Sequence, residues 1–381
     1  MNELILFAQS LFIGAAALHF GSIVTVLVRL RRNAAAPLQR LDAGGVSILR
    51  PVCGLENHVE ETLRSSFGLE YPGYEVLFCV AREDDPVVPV VRELIANHPE
   101  VDARLLVGQS DVSANPKLNN LVKGWREARH DWILMVDSNV LMPADHIERM
   151  LAVWAAETGV VCSPPAGIAP ANFWAELEGA FLNTHQARWQ CLADSAGFGF
   201  TQGKAMLWRR ELLERIGGIE ALACEAAEDA AATKIVRGLD LKVRLVAEPF
   251  FQPLGERRLA DVWKRQVRWA RLRRGTFKAC FVPELFAGGL FPLMACALAA
   301  AAGAFSAEFL LVAIAGWYGA EAALAFAAGW PLTLRSIAAW MLRDALLPLL
   351  WLSAWTGDDF EWRGNAMTLT EETLAEDGRT S

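Results

Sequence analysis

Leu4 to Val28 is an uncharged run of 25 residues, LILFAQSLFIGAAALHFGSIVTVLV. A helix that crosses a bilayer needs about 20 such residues, and few soluble domains contain one this long. Arg29, Arg31 and Arg32 follow at once. A cleaved secretory leader carries its positive charge ahead of a shorter apolar core, so the order here is reversed. Basic flanks favour the cytoplasmic side, which puts residue 29 onward in the cytoplasm and Met1 outside. The bland alternative, a buried helix of a soluble domain, is opposed by both the length and the arginines.

A second apolar region lies near the C-terminus. Leu285 to Phe305 and Phe309 to Gly329 read as two spans joined by Ser306 to Glu308. Ile337 to Trp355 is a weaker third, because Arg343 and Asp344 sit in its middle. Charges there are costly in lipid and turn toward a bundle, a cavity or the interface, so this segment either spans or lies at the surface. Trp317, Trp330, Trp340, Trp351 and Trp355 suit interfacial anchoring. The expected organisation is an N-terminal anchor (1–32), a cytoplasmic globular domain (33–283), a C-terminal membrane region (284–356) and a polar tail (357–381), frayed after Thr370. The basic cluster Arg265, Arg268, Arg271, Arg273, Arg274 and Lys278 stands just before the second apolar region and supports the cytoplasmic side. The expected location is therefore a membrane with the domain in the cytoplasm; the resemblance described below makes that membrane the inner membrane of a bacterial-type cell.

The formal net charge is −8, which argues against nucleic acid as a partner. The cysteines are odd in number and none is spaced C-x-x-C, so buried reduced thiols are expected rather than a zinc site or a disulfide framework.

Between the apolar regions, strand and helix alternate. Val46–Arg50, Glu75–Val80, Ala103–Val107, Trp132–Val136 and Val160–Cys162 read as strands. Glu56–Phe67, a segment opened by Pro86 and running to about Asn97, Leu118–Ala128 and Ala144–Glu157 read as helices. Near-continuous apolar strands alternating with helices predict an α/β domain with a mostly parallel sheet covered on both faces. Ligands of such sheets collect at the carboxyl ends of the strands, where Glu83-Asp84-Asp85 and Asp137-Ser138-Asn139 fall. A strand-end aspartate can hold a divalent cation that bridges phosphates; an N-cap or solvated turn is the plain alternative. Glu228 and Asp229 open another predicted helix. Asn115-Pro116-Lys117 begins a helix whose free N–H groups and lysine suit an anion, or simply caps it. Arg265 and Arg268, three apart on one helix face, can grip a diphosphate, and Trp269 adds a flat surface.

Read in order, LRPVCGLE, YPGYEVLFCVAREDDP, HPEVDARLLVGQ, NPKLNNL, MVDSNV, GFGFTQGKAMLWRR, EAAEDAAATKI and RQVRW make nearly the whole chain, from the first apolar span through the last, resemble membrane glycosyltransferases of the ceramide-glucosyltransferase type, family 21-like, including bacterial hopanoid-associated relatives. The resemblance implies a Rossmann-like GT-A domain with one N-terminal and two to three C-terminal transmembrane helices. It implies a UDP-sugar donor, a lipid acceptor and Mg²⁺ or Mn²⁺. Asp85 then stands near the nucleotide base, with Asp84 beside it. Asp137 holds the metal and the diphosphate, and Asp229 is the general base. Arg265, Arg268 and Trp269 form the diphosphate and acceptor region. Pro51, Glu56 and Lys117 join the donor-binding residues, and His185 is a further possible participant. Asn139 departs from the Asp-x-Asp pattern common in GT-A enzymes and leaves the metal mainly to Asp137 and the donor's phosphates.

The leading expectation is inverting transfer of one hexose, glucose first, to a ceramide-type hydroxyl. The competing acceptor is a hopanoid polyol receiving N-acetylglucosamine, because Trp362-Arg363-Gly364-Asn365-Ala366-Met367 is similar to hopanoid-associated relatives. A processive polysaccharide synthase and a non-catalytic membrane binding protein are the remaining alternatives. Phe281, Leu285 and Phe286 are expected to line the path of the lipid.

Overall fold

The apolar, β-branched runs of the middle region pair as strands, and the chain between them coils into covering helices. A computed structural model describes residues 2–35, 43–362 and 365–369. Helix α1 spans Asn2–Ala35 and leads into β1 (Val46–Val52), α2 (Val59–Arg64), β2 (Tyr74–Val80), α3 (Val88–Asn97), β3 (Asp102–Val107), α4 (Pro116–Glu127), β4 (Trp132–Val136), α5 (His146–Ala152) and β5 (Thr158–Cys162). Then come β6 (Pro165–Pro170), α6 (Phe173–Ala180), a π-helical stretch (Phe181–Ala187), α7 (Arg188–Ser195), β7 (Ala205–Arg209), α8 (Arg210–Glu214), α9 (Glu228–Gly238), β8 (Lys242–Leu245) and β9 (Phe250–Gly255). The remainder is mostly helical: α10 (Leu259–Thr276), α11 (Lys278–Phe281), α12 (Leu290–Ala301), α13 (Ala307–Ala327) and α14 (Leu334–Trp355), closed by the hairpin β10 (Asp359–Trp362) and β11 (Asn365–Thr368).

Seven strands form the main sheet in the order β3-β2-β1-β4-β7-β5-β8. All neighbours run parallel except β7, which is antiparallel to both β4 and β5. This is the mostly parallel, Rossmann-like α/β architecture expected for a GT-A domain. Jumping from β1 to both β2 and β4 makes a topological switch at β1, where such sheets open a crevice for ligands. One apolar core lies on each face of the sheet, built from alternate strand residues: Leu49, Leu77, Ile133 and Met135 on one side, Ile48, Val76, Phe78 and Leu134 on the other.

Several boundaries differ from the sequence reading. The helix expected from Glu56 opens only at Val59, because His58 takes a left-handed backbone (φ 60°). The one expected from Pro86 opens at Val88, with Pro89 in its first turn. The Ala144–Glu157 helix shortens to α5, and Trp154 instead packs edge-on against Trp132. The polar tail includes the β10–β11 hairpin; Phe360, Met367 and Leu369 bury it against Leu272 and Ala226. The fraying expected after Thr370 falls outside the described residues. Of the cysteines, Cys79, Cys162, Cys191 and Cys296 are buried, whereas Cys53, Cys224 and Cys280 are exposed.

By length and composition α1, α13 and α14 are each able to cross a membrane, and this is a membrane protein. Leu285–Phe305 is not one straight span: α12 begins at Leu290, and the helical segment before it (Lys278–Phe286) meets it at a 40° bend. Gly289 sits at the break because Asp344 Oδ2 and Trp317 Nε1 lie within 2.7 and 2.8 Å of where a Cβ would stand. Phe281 is buried and stacks on Trp351 at 6.1 Å, so it does not line an open lipid path, while Phe286 is exposed.

The charges that weakened the third apolar segment are paired. Arg343 bonds both oxygens of Glu321 (3.0 and 2.8 Å), Asp344 (2.7 Å) and the Thr184 hydroxyl (2.7 Å). Asp344 also accepts from Gly289 N–H (2.9 Å) and the Tyr318 hydroxyl (3.2 Å). Arg188 reaches His19 Nδ1 at 2.8 Å, and His19 Nε2 lies 3.1 Å from the Trp317 carbonyl. Two guanidinium groups and two carboxylates thus sit in one buried cluster that ties α1, α13 and α14 to the π-helical stretch, meeting the condition under which such charges persist in apolar surroundings.

Candidate active site

The register of β4 and β7 begins the site. Val136 pairs with Ala205, so the residues just beyond, Asp137 and Lys204, are neighbours, and Asp137 N–H donates to the Lys204 carbonyl (2.9 Å). Lys204 Nζ then contacts Asp137 Oδ2 at 3.2 Å and Asn139 Oδ1 at 3.0 Å. From α4 comes Lys117. Asn115 caps that helix by accepting from the Lys117 and Leu118 N–H groups (2.9 and 3.3 Å), and Pro116 presets its first turn. Asn115 therefore caps the helix and also donates to Glu228 Oε2 at 2.7 Å. Lys117 Nζ lies 2.6 Å from Asp137 Oδ1, 2.6 Å from Glu228 Oε1 and 2.6 Å from the Gly203 carbonyl.

Gly203 allows this convergence. A Cβ there would stand 2.8 Å from Glu228 Oε1, 3.2 Å from Lys117 Nζ and 3.4 Å from Asp229 Oδ2. Its N–H donates to Asp229 Oδ2 (3.0 Å), and Ala230 N–H donates to Asp229 Oδ1 (2.8 Å). Three carboxylates and two ammonium groups thus meet at the carboxyl end of β4 and the N-terminus of α9. From the other side, Asn139 Nδ2 reaches Glu56 at 3.3 Å. Beneath the loop, fully buried Arg50 donates to the carbonyls of Thr62, Ser138 and Val140 (3.0, 3.3 and 3.2 Å) and so fixes the Asp137–Asn139 turn.

The electrostatics divide the two aspartates. Burial would raise the Asp137 carboxyl, but Lys117 and Lys204 hold it down at about 2. Burial would lower Lys117, but Asp137 and Glu228 keep it above its ordinary value. Asp229 is pushed up to about 6, first by burial and then by the Glu228 charge, against the pull of Lys117 and the two N–H groups. One carboxylate is thereby locked as an anion and the other poised to exchange a proton near neutrality.

The other expected residues are distributed around this centre. Asp85 accepts from Gly54 N–H (2.9 and 3.2 Å) and Val87 N–H (2.9 Å), which closes the turn after β1. Pro51 lies in β1 opposite Cys79. Asp84 points outward and pairs with Arg82 on the surface. Arg265 pairs with buried Glu178, which also holds Arg257 at 2.7 Å; Glu56 in turn acts on the Arg257 charge. Arg268 lies 5.3 Å over the ring of Trp362 in the closing hairpin. Trp269 packs against Ala175, Leu182 and Leu254. His185 is buried in the π-helical stretch with its Nδ1 unbonded among the described residues; burial first, then Arg343 and Arg188, hold it well below its ordinary value and keep it neutral.

Lys204 is the participant that sequence reasoning did not single out. It stands inside the GFGFTQGKAMLWRR phrase, but only the antiparallel insertion of β7 beside β4 brings it to Asp137. Glu228 was visible as a carboxylate opening a helix, without a sign that it shares Lys117 with Asp137.

The sequence profile of glycosyl transferase family 21 matches residues 11–375. The chain belongs to that family. This family-21 chain is 28% identical over 268 residues to ceramide glucosyltransferase 1 of Caenorhabditis elegans, covering 70% of its own length and 56% of the relative's. With ceramide glucosyltransferase 3 of the same organism the identity is 27% over 337 residues, 85% of this chain and 72% of the relative. Among solved structures, a mannosyltransferase from Pyrobaculum calidifontis in complex with GDP-Man and Mn²⁺ is similar at a TM-score of 0.49 and 17% identity, over 91% of this chain and 97% of that one.

Proposed function

We propose that this family-21 chain transfers one hexose, glucose in the first instance, from a UDP-sugar to the hydroxyl of a ceramide-type membrane lipid, with inversion at the anomeric carbon. The observation that carries the reading is the meeting of Asp137, Lys117, Lys204, Glu228 and Asp229 around Gly203 at the open end of the sheet. The acceptor class rests on the ceramide glucosyltransferases among its relatives.

In this reading Asp229 takes the proton of the lipid hydroxyl. The freed oxygen attacks the anomeric carbon from the face opposite the diphosphate. A bond forms between them, the bond to the diphosphate breaks, and UDP departs with the electron pair. An α-linked donor thus yields a β-glycoside. Lys117 and Lys204, already placed for negative charge, oppose the charge that grows on the leaving group. Arg265, Arg268 and Trp269 serve the diphosphate and acceptor side; Asp85, with Asp84, Pro51 and Glu56, serves the nucleotide side.

The cofactor of this reading is Mg²⁺ or Mn²⁺. Such ions take one or two protein carboxylates and complete their shell with phosphates and water. Asp137 and the Asn139 side-chain oxygen would hold such an ion once Lys117 and Lys204, which bond these oxygens here, turn to the diphosphate; among the described residues no three His, Cys, Asp or Glu side chains form a metal cluster. When bound, the ion stabilises charge on the diphosphate. The domain, residues 33–283, works on the cytoplasmic face of a bacterial-type inner membrane. Hopanoid glycosylation with N-acetylglucosamine is the second reading, favoured by the Trp362–Met367 string.

Purified protein incubated with several UDP-sugars and a total lipid extract is expected to form a new hexosylceramide, read by mass spectrometry. Formation of an N-acetylhexosaminyl hopanoid alone would select the second reading, and absence of any new glycolipid would reject both. A pH profile tests the base. Since Asp229 must be ionised, kcat/KM should fall tenfold per unit as pH drops below about 6 and level off above it. Glu228→Gln removes a like charge and should move this limb to lower pH, though burial keeps it above an ordinary carboxylate. An unmoved limb would assign it to another group.

A further inference from the structure

Helix α14 is long enough to cross a bilayer, about 33 Å at 1.5 Å per residue, yet it touches the catalytic domain along its whole length. At its first turn the Ser336 hydroxyl donates to Glu176 of α6 at 2.9 Å. In its middle Arg343 donates to the Ala180 carbonyl (3.3 Å) and the Thr184 hydroxyl (2.7 Å). Near its end Trp351 Nε1 donates to the Phe281 carbonyl (3.3 Å), and Arg274 and Lys278 lie 5.6 and 5.8 Å over the ring of Trp355. Immediately beyond, Asp358 pairs with Arg274 and the Asp359 carbonyl accepts from Arg271, both on basic α10. At the other end the Trp330-Pro331 turn and Trp340 face Gly167, Asn183 and Leu254 of the domain across a narrow crevice.

A spanning helix leaves the domain behind after its first turns, but both ends of α14 are held by it. The opposite face is apolar and bare: Leu334 (85% exposed), Met341, Leu349 and Leu352, with Ala338 and Ala345 completing a single stripe. Arg343 and Asp344 lie on the buried side at 1%. An apolar outer face with its charges turned inward is the form of a helix lying at a lipid boundary.

We propose that α14 does not cross the membrane but lies in its plane, pressed between the catalytic domain and the adjoining leaflet, with its Leu334–Leu352 stripe in the lipid. The occupant of this face is the bilayer because α13, which leads directly into α14, is itself a membrane helix. The remaining helices give a consistent topology. Arg29 of α1 bonds Asp194 (2.5 Å) and the Leu245 carbonyl (2.7 Å) of the domain. Phe12, about 25 Å back along the same helix, packs against Phe305 and Phe309 at 6.0 and 5.9 Å. The start of α13 is thus on the far side and its end on the domain side. The chain enters the bilayer with α1, with Leu290–Ala301 beyond the bend (Phe281 and Gly289, before it, are held to α14) and with α13, and the described residues from 328 to 369 stay on the side of the catalytic domain. This topology does not depend on which sugar or lipid the enzyme uses.

Nitroxide labels at Met341, Ala345, Leu349 and Leu352, placed one at a time on the full chain in liposomes, test the orientation. Exposed Cys53, Cys224 and Cys280 are replaced by Ser. Collision with oxygen and with a nickel chelate should give one common depth for the four labels. A steady gradient of about 16 Å from Met341 to Leu352 would overturn the proposal. As a second measurement, Leu332→Cys and Thr356→Cys should react with a membrane-impermeant thiol reagent from the same side as native Cys53; reaction from opposite sides would also overturn it.

Discussion

Asp229→Asn is expected to lower turnover by about 10²- to 10⁴-fold while UDP binding survives. The amide is nearly isosteric and can still accept from Gly203 N–H, so the turn before β7 should hold. The anion-facing groups are separate: Lys117 keeps Asp137 and Glu228, and Lys204 keeps Asp137 and Asn139. The proton acceptor is lost, together with the bond from Ala230 N–H that the amide NH2 cannot accept. Single-turnover transfer and UDP titration on the same preparation separate the two effects. Near-normal turnover would remove Asp229 from the role of base. A parallel loss of UDP binding would make it a structural residue. Asp137→Asn should give the contrasting result, weaker donor binding, because it releases two lysines that the carboxylate orients.

Glu321→Ala is expected to cost about 3–5 kcal/mol of stability, since removing one partner of a buried ion pair leaves the other charge uncompensated. Glu321 holds both nitrogens of Arg343, and its charge also acts on Arg188. Without it two guanidinium groups face a single carboxylate, Asp344, in apolar surroundings. Thermal unfolding in detergent should drop by on the order of 10 °C, or folded protein should fail to accumulate. Replacing Glu321 and Arg343 together by Leu and Met should recover part of the loss, as apolar substitutes for a whole buried pair often do. Equal stability of Glu321→Ala and the parent would mean that water reaches the cluster.

The parallel half of the sheet was legible because β1 to β5 are short apolar runs closed by Gly, Pro or Asp, a pattern set by local chemistry. The antiparallel β7 was not, because nothing within AMLWR announces its direction; pairing with both β4 and β5 is a long-range choice. The β6–β9 pair was hidden for another reason: Pro165, Pro170 and Pro253 argue against strands, and they are tolerated because this is a small two-stranded sheet with open edges. Asp137, Lys117 and Asp229 stood out as charged residues at strand ends and helix starts. Gly203, which Lys117 and Asp229 share, and Lys204, beside Asp137, emerge only once β7 is in place. The α14 charges made a lipid-spanning reading doubtful from the sequence, but their partners Glu321 and Thr184 are remote in the chain.

The order of segments along the chain has a bearing on biosynthesis. Asp229 and Arg268 leave the ribosome well ahead of the β10–β11 hairpin, yet Trp362 is what lies across Arg268, and Phe360, Met367 and Leu369 are what brace Ala226, just upstream of Glu228 and Asp229. The hairpin that packs on Arg268 and Ala226 is therefore made only after α12, α13 and α14.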